Sequence, residues 1–351
     1  MFTGGKGLDR KGTGMDEIFS TKGWKWTGLI LGIFLAGFLS VASISVGVTP
    51  VPFETVIESF TDFQNTNEHL IVRTTRVPRT IIAVAVGASL AVAGAVMQAL
   101  TRNPLASPST LGVNQGAGLF IVLAVSLFSV TVMSTLMVMG FAGAAFAIFI
   151  VYILGSTGRD GMTPVKLTLA GAAVMALFSS LTQGFLTMNE RSLEELLFWL
   201  VGSVEGRSLD LAIPVFPFLL AGAVMALCLA RAFNVLMMGD DVARGLGMNV
   251  GIIKLLGVVM IAFSAGGSVA VAGPVVFVGL IVPHLVRVLV GNDHRWLFPY
   301  CLVYGANLLL IADILGRLIM QQQPIPVGVM TALIGTPFFI YLARRKGRVR
   351  G

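Results

Sequence analysis

Charge is what this sequence has least of. Among 351 residues only 12% are Asp, Glu, Lys or Arg while 56% are hydrophobic, and soluble domains carry about 25% charged residues. The mean hydropathy is +0.88, so polar side chains are too few to coat a globule of this size in water, which excludes an ordinary soluble enzyme. Cysteine is nearly missing: Cys228 and Cys301 lie in separate apolar runs, without the paired spacing of a zinc site or disulfide framework. The three histidines, His69, His284 and His294, form no H-E-x-x-H string and no Ser/His/Asp grouping, which argues against hydrolytic chemistry and offers no metal ligand set. A G-x-x-x-x-G-K-[ST] string is also missing, and no strand precedes the Gly4-Gly5-Lys6-Gly7 cluster, so no ATP site and no other cofactor is expected in this chain.

What is abundant is uncharged length. A helix needs about 20 mostly apolar residues to cross a bilayer. Stretches free of Asp, Glu, Lys and Arg cover 26–53, 80–101, 103–158, 167–189, 211–230, 255–286, 296–312 and 318–343. The third is long enough for two spans with a turn around Ser126 to Ser134, and Gly273-Pro274 divides the sixth. The expected architecture is an all-α integral membrane protein, a compact bundle of about ten transmembrane helices over residues 26–345. A mobile tail, 1–25, precedes it and a short one, 346–351, follows. The first run is too long for a signal peptide and reads as a retained anchor. Gly87, Gly94, Gly112, Gly116, Gly118, Gly266, Gly267 and Gly273 lie within or between spans, where small residues let helix backbones approach closely and helices break, in the manner of a transporter.

Ten spans put both ends on one side, and the distribution of Lys and Arg chooses the cytoplasm. Of the 24 basic residues only Arg73, Arg76, Arg79, Arg191, Arg207 and Arg317 then fall outside, and every lysine falls inside. The net charge of +7 thus fits a lipid surface and not nucleic acid. That the outer six are all arginine suits planar, bidentate pairing with carboxylates. Asp313 is the one carboxylate well inside an apolar region, with Arg317 four residues on along the same helix face, so the two can neutralise each other. An ion-coupled secondary transporter would have to use Asp313 for its ion.

Two connections carry more. Residues 237–250, MMGDDVARGLGMNV, place Asp240 to cap a short helix, Val242 and Leu246 on one face, and Gly247 at its end. This is either a solvated connection or a docking knob for a soluble partner. Residues 101–112, TRNPLASPSTLG, read as turns enforced by Asn103-Pro104 and Ser107-Pro108.

Taken in order, RVPRT at 76–80, GAVMQALTRNPLASPSTLGVNQGAG at 94–118, GDDVARGLG at 239–247, AGPVVFVGLIVPHLVR at 272–287, DHR at 293–295, ADILGR at 312–317 and PIPVG at 324–328 closely resemble the permease family of bacterial ATP-driven importers for ferric siderophores, haem and cobalamin. Ser107 stands where the family commonly has an acidic residue, and Asp240 where Glu is frequent. The resemblance implies a cytoplasmic-membrane permease that pairs with a second one, identical or homologous. It implies two cytoplasmic ATPase subunits that bring ATP and magnesium and bind the loop through Gly239, Asp240, Asp241, Ala243, Arg244, Leu246 and Gly247. It further implies an extracytoplasmic binding protein docking on Arg76, Arg79 and Arg317. Met97, Gln98, Asn114 and Gln115 are the candidate lining of the path. A ferric siderophore is the favoured cargo, with haem or cobalamin the alternative.

Overall fold

The computed structural model describes residues 18–19, 21–47, 51–158, 161–188, 199–320 and 323–347. The expected mobility of the tail falls on residues that, before 18, lie outside these. Every regular element among the described residues is helical. Helix α1 is Lys22–Ser45 and α2 is Phe53–Thr61. Helix α3 (Asn67–Ile71) runs through a π turn at Val72–Arg76 straight into α4 (Val77–Thr101). There follow α5 (Val113–Phe128), α6 (Met133–Ser156), α7 (Pro164–Met188), the single turn α8 (Leu209–Ala212), α9 (Phe216–Met237) and the short α10 (Asp240–Gly245). Helix α11 (Val250–Ile261) passes through a second π turn, Ala262–Gly266, into α12 (Gly267–Ala272), and α13 (Val278–Val290), α14 (His294–Ile319) and α15 (Val327–Gly347) complete the chain.

Seven described helices are long and apolar enough to cross a membrane, and three shorter apolar ones, Val113–Phe128, Val278–Val290 and Val327–Ile340, fall where the remaining spans were expected. Two boundaries differ from the sequence reading. Helix α1 starts at Lys22, not Trp26, because the Thr21 hydroxyl accepts the Trp24 N–H at 3.4 Å and caps it. Lys25 is therefore not in the tail; its ammonium is buried and donates to the Val290 carbonyl at 2.8 Å, at the negative end of α13. The expected outer loop is helical from Asn67 onward, so Arg73, Arg76 and Arg79 ride on one 35-residue helical segment ending at Thr101.

That segment is the axis of the bundle: 78% of its most apolar window is buried, against 17% for α1. Lipid offers no hydrophobic drive between helices, so packing depends on how closely backbones approach. A Cβ on Gly87 would lie 2.4 Å from the carbonyl oxygen of Gly305, and one on Gly94 only 1.8 Å from that of Gly279. Thus α4 crosses α14 and α13 backbone to backbone. Helix α1 is attached by hydrogen bonds instead. Tyr300, Tyr304 and Asn307, on one face of α14, donate to the carbonyls of Lys25, Gly28 and Gly32 at 2.5, 3.2 and 3.0 Å. The break between α12 and α13 is non-helical, with Gly273 at φ +70° and Phe277 at +68°. It packs against Gly202, whose carbonyl accepts the Gly328 N–H at 2.9 Å, so irregular backbone is enclosed by protein as lipid demands.

Gly94→Ala should push α4 and α13 apart and lower stability by about 1–3 kcal/mol. Gly37→Ala, on α1 with nothing within 4 Å, should be neutral. Thermal unfolding of the two purified variants in one detergent checks this, and equal midpoints would contradict the crossing.

Candidate functional site

At one end of the bundle α10 stands proud of the spans. Gly239, at φ +117°, turns the chain off α9 and holds the cap position, so Asp240 does not cap as expected but is the first helical residue. Its carboxylate instead receives two cations: Arg102 Nη2 on Oδ1, and Lys254 Nζ on Oδ2 at 2.5 Å. Burial pushes the Asp240 carboxyl up, but the hydrogen bonds and charges of Lys254 and Arg102 together outweigh it and hold the group below the ordinary carboxylate value. Gly247, at φ +82°, ends the helix with its N–H on the Arg244 carbonyl at 2.9 Å. Val242 and Leu246 share the outward face as expected, 46% and 65% exposed, flanked by the Asp241–Arg244 pair at 3.2 Å. Ala243 does not belong to that face. It is wholly buried beneath the helix.

At the other end Asp313 organises a clasp. Arg79 approaches its Oδ1 through Nε at 2.9 Å and Nη2 at 2.8 Å, and Arg317 donates to Oδ2 at 2.8 Å. Arg317 also donates to the carbonyls of Ser43 and Val46, both at 2.7 Å. Arg76 donates to those of Ile44 and Ser45 at 2.7 and 2.8 Å. These are the last carbonyls of α1, which have no partner within their own helix, and cations suit that end of the helix dipole. The three arginines expected to dock a binding protein, Arg76, Arg79 and Arg317, are thus 5–6% exposed in this chain and turned inward. Arg79 keeps one contact toward the surface, Glu205 at 3.3 Å. Both Asp313 oxygens are engaged by guanidinium groups, so its charge is already balanced.

Between the two ends the expected path lining is also revised. Met97 and Gln98 are buried in α4, Gln98 accepting from Arg287 and donating to the Gly279 carbonyl at 3.4 Å, because α4 is surrounded by helices. Asn114 and Gln115 are half-buried at the start of α5; Asn114 donates to Ser109 Oγ at 3.5 Å, and Gln115 Oε1 is buried without a partner. A face that the sequence reading missed is on α7. There Ser179, Ser180, Gln183, Gly184 and Thr187 are exposed beside Leu177 and Leu181. The exposed face of α1 is by contrast Ile30, Leu31, Ile33, Phe34, Leu35 and Phe38. Ser180, Gln183, Gly184 and Thr187 follow the i, i+3, i+4, i+7 spacing of one helix face, so the signal was there. Hydroxyl and amide groups are costly against lipid, and this face suits protein or water. Among the described residues no cluster of His, Cys, Asp and Glu could hold a metal.

A multi-span bundle with enclosed irregular backbone, charge confined to its two ends and a protruding amphipathic turn is a membrane transport permease. The FecCD transport family model matches residues 33–345, and the chain belongs to that family. It is 50% identical over 325 residues, 93% of this chain and 98% of the relative, to YfiZ of Bacillus subtilis, named a probable siderophore transport system permease protein. To the ferric enterobactin transport system permease protein FepD of Escherichia coli it is 42% identical over 322 residues, 92% of this chain and 95% of FepD. A solved transporter described as of metal-chelate type, in an inward-facing conformation, superposes with TM-score 0.80 at 27% identity, covering 91% of this chain and 99% of that one.

Asp313→Asn should destabilise the protein by about 3–5 kcal/mol, since it leaves the buried Arg317 without a counter-charge and Arg79 with only the half-exposed Glu205. The check is the thermal midpoint in detergent beside Asp210→Asn on the half-buried turn α8; a clasp without structural weight would leave both alike.

Proposed function

We propose that this chain is the membrane-spanning permease subunit of an ATP-binding-cassette importer that carries a ferric siderophore into the cytoplasm. It would have ten spans, with both termini and α10 on the cytoplasmic side of the bacterial cell membrane. The observation that carries the reading is α10: an exposed Val242–Leu246 pair on a short helix fixed from beneath, in a chain without the phosphate-binding string an ATPase needs. Two separate ATPase subunits, holding ATP and magnesium, dock there and supply the energy. An external binding protein delivers the chelate at the opposite end. A second permease, identical or homologous, meets the mixed polar face of α7, and the path runs along that face. The iron cargo rests on family relatives named for siderophore, ferric citrate and ferric enterobactin transport. Coupling to an ion gradient is disfavoured by the occupied oxygens of Asp313. No covalent change of the cargo is involved; ATP acts by favouring one of two states of the path.

Replacing Val242 and Leu246 together by Asp should weaken ATPase association about 30-fold or more, the effect of removing a central apolar anchor, with the fold intact. Co-purification of the ATPase and uptake of radioiron as ferric citrate, ferric trihydroxamate and ferric tricatecholate test it. Uptake that survives the change but collapses with a proton ionophore at constant ATP would defeat the importer reading. For topology, in a background lacking Cys228 (Cys301 is wholly buried), an impermeant thiol reagent on intact cells should modify Cys at Glu58 and spare Cys at Asp241. The reverse pattern would invert the arrangement.

A further inference from the structure

Lys254 is a lysine in the wrong place for a lysine. It sits on α11 between Ile253 and Leu255 and is 6% exposed, although lysine ordinarily keeps its ammonium in water. The ammonium is satisfied by Asp240 Oδ2 and by the Met162 carbonyl at 2.6 Å. Arg102, which ends α4 in the left-handed region at φ +48°, places its guanidinium on Asp240 Oδ1 and on the Leu236 carbonyl at 3.3 Å. One carboxylate on α10 is thus joined to the central helix α4, to α11, and through shared cations to the end of α9 and the connection between α6 and α7.

Backbone alone would not hold α10 this way. Its links to α9 and α11 each contain a glycine at positive φ, Gly239 and Gly247, with open space around both. Their turn hydrogen bonds, such as Met248 N–H to the Ala243 carbonyl at 3.0 Å, tie α10 to its chain neighbours and not to α4. A buried ion pair is weak as a source of stability, and its best attested use is to fix one arrangement among several. We infer that Lys254, with Arg102, is a positioning residue that makes α10 rigid against the bundle through Asp240, so that a push on α10 moves α4 and α11 and not its own flanking turns. This rests on the reading of α10 as the ATPase docking helix.

The test uses the full chain in nanodiscs or cells with its ATPase and binding-protein partners, and reads two quantities: ATPase retained, and iron delivered per ATP hydrolysed. Radioiron is offered as ferric citrate, ferric trihydroxamate and ferric tricatecholate, and the form the unaltered permease takes up is used. Lys254→Met should keep the ATPase bound but lower iron per ATP about fivefold or more, the scale of a typical coupling between sites. Lys254→Arg, which keeps charge and reach, should retain most of the coupling, a rescue that loss of folding alone would not show. Should Lys254→Met fail to assemble, Arg102→Met decides, its side chain being 36% exposed and its loss easier to tolerate. An unchanged iron-to-ATP ratio in whichever variant assembles overturns the proposal. An unaltered chain that holds no ATPase would remove the docking reading itself, and the proposal with it.

Discussion

The bundle depends on how near α4 allows its neighbours to come. In lipid the tails solvate leucine as well as another helix does, so association must come from contact at short range. Gly87 against Gly305 and Gly94 against Gly279 reduce the separation to backbone on backbone. Gly116 against Gly143 does the same for α5 and α6, where a Cβ would stand 2.3 Å from a carbonyl oxygen. With α4 largely enclosed, the helices at the periphery are free to present specialised surfaces. Helix α1 turns apolar bulk to lipid, and α7 turns hydroxyls and an amide away from the core.

Two knots of charge lie at opposite ends of α4. At one, Asp313 and the carbonyl end of α1 share three arginines; at the other, Asp240 shares Arg102 and Lys254. Each knot centres on one carboxylate and draws at least one cation from a distant helix, Arg79 for Asp313 and Arg102 and Lys254 for Asp240, so neither belongs to a single segment of sequence. A rigid central rod pinned at both ends suits a subunit in which events on one face of the membrane must be felt at the other. It also explains why so few charges suffice: each is used by several helices.

The spans were legible because lipid makes the absence of charge a strong signal over about 20 residues. The close-approach glycines were legible because few other roles place so many inside apolar runs. Helix α10 was legible from Asp240 at its start and Gly247 at its end, although the cap position falls to Gly239. The inward contacts of the arginines were not legible, because sequence gives the side of the membrane and not the direction of a guanidinium. Whether Arg76 faces solvent or the carbonyls of Ile44 and Ser45 depends on a helix end some thirty residues away. The burial of Met97 and Gln98 was not legible, because the buried second half of α4 has no polar stripe to orient it. The burial of Ala243 was not legible either, since alanine is equally at home on an exposed turn and in a core.

The π turns at Val72–Arg76 and Ala262–Gly266 have a consequence for how relatives are compared. A π turn accommodates an extra residue in one helical turn, and one residue corresponds to about 100° of rotation. At the first turn, that offset separates Arg73, whose guanidinium lies 4.3 Å over the Phe63 ring at the surface, from Arg76 and Arg79 facing the clasp. A relative lacking a single residue here would keep its hydropathy profile and its motif spelling, yet present a different third of the helix surface to α1 and α14. A one-residue gap in this stretch therefore signals a change of facing, and the arginines on its two sides cannot be equated by position in the alignment alone.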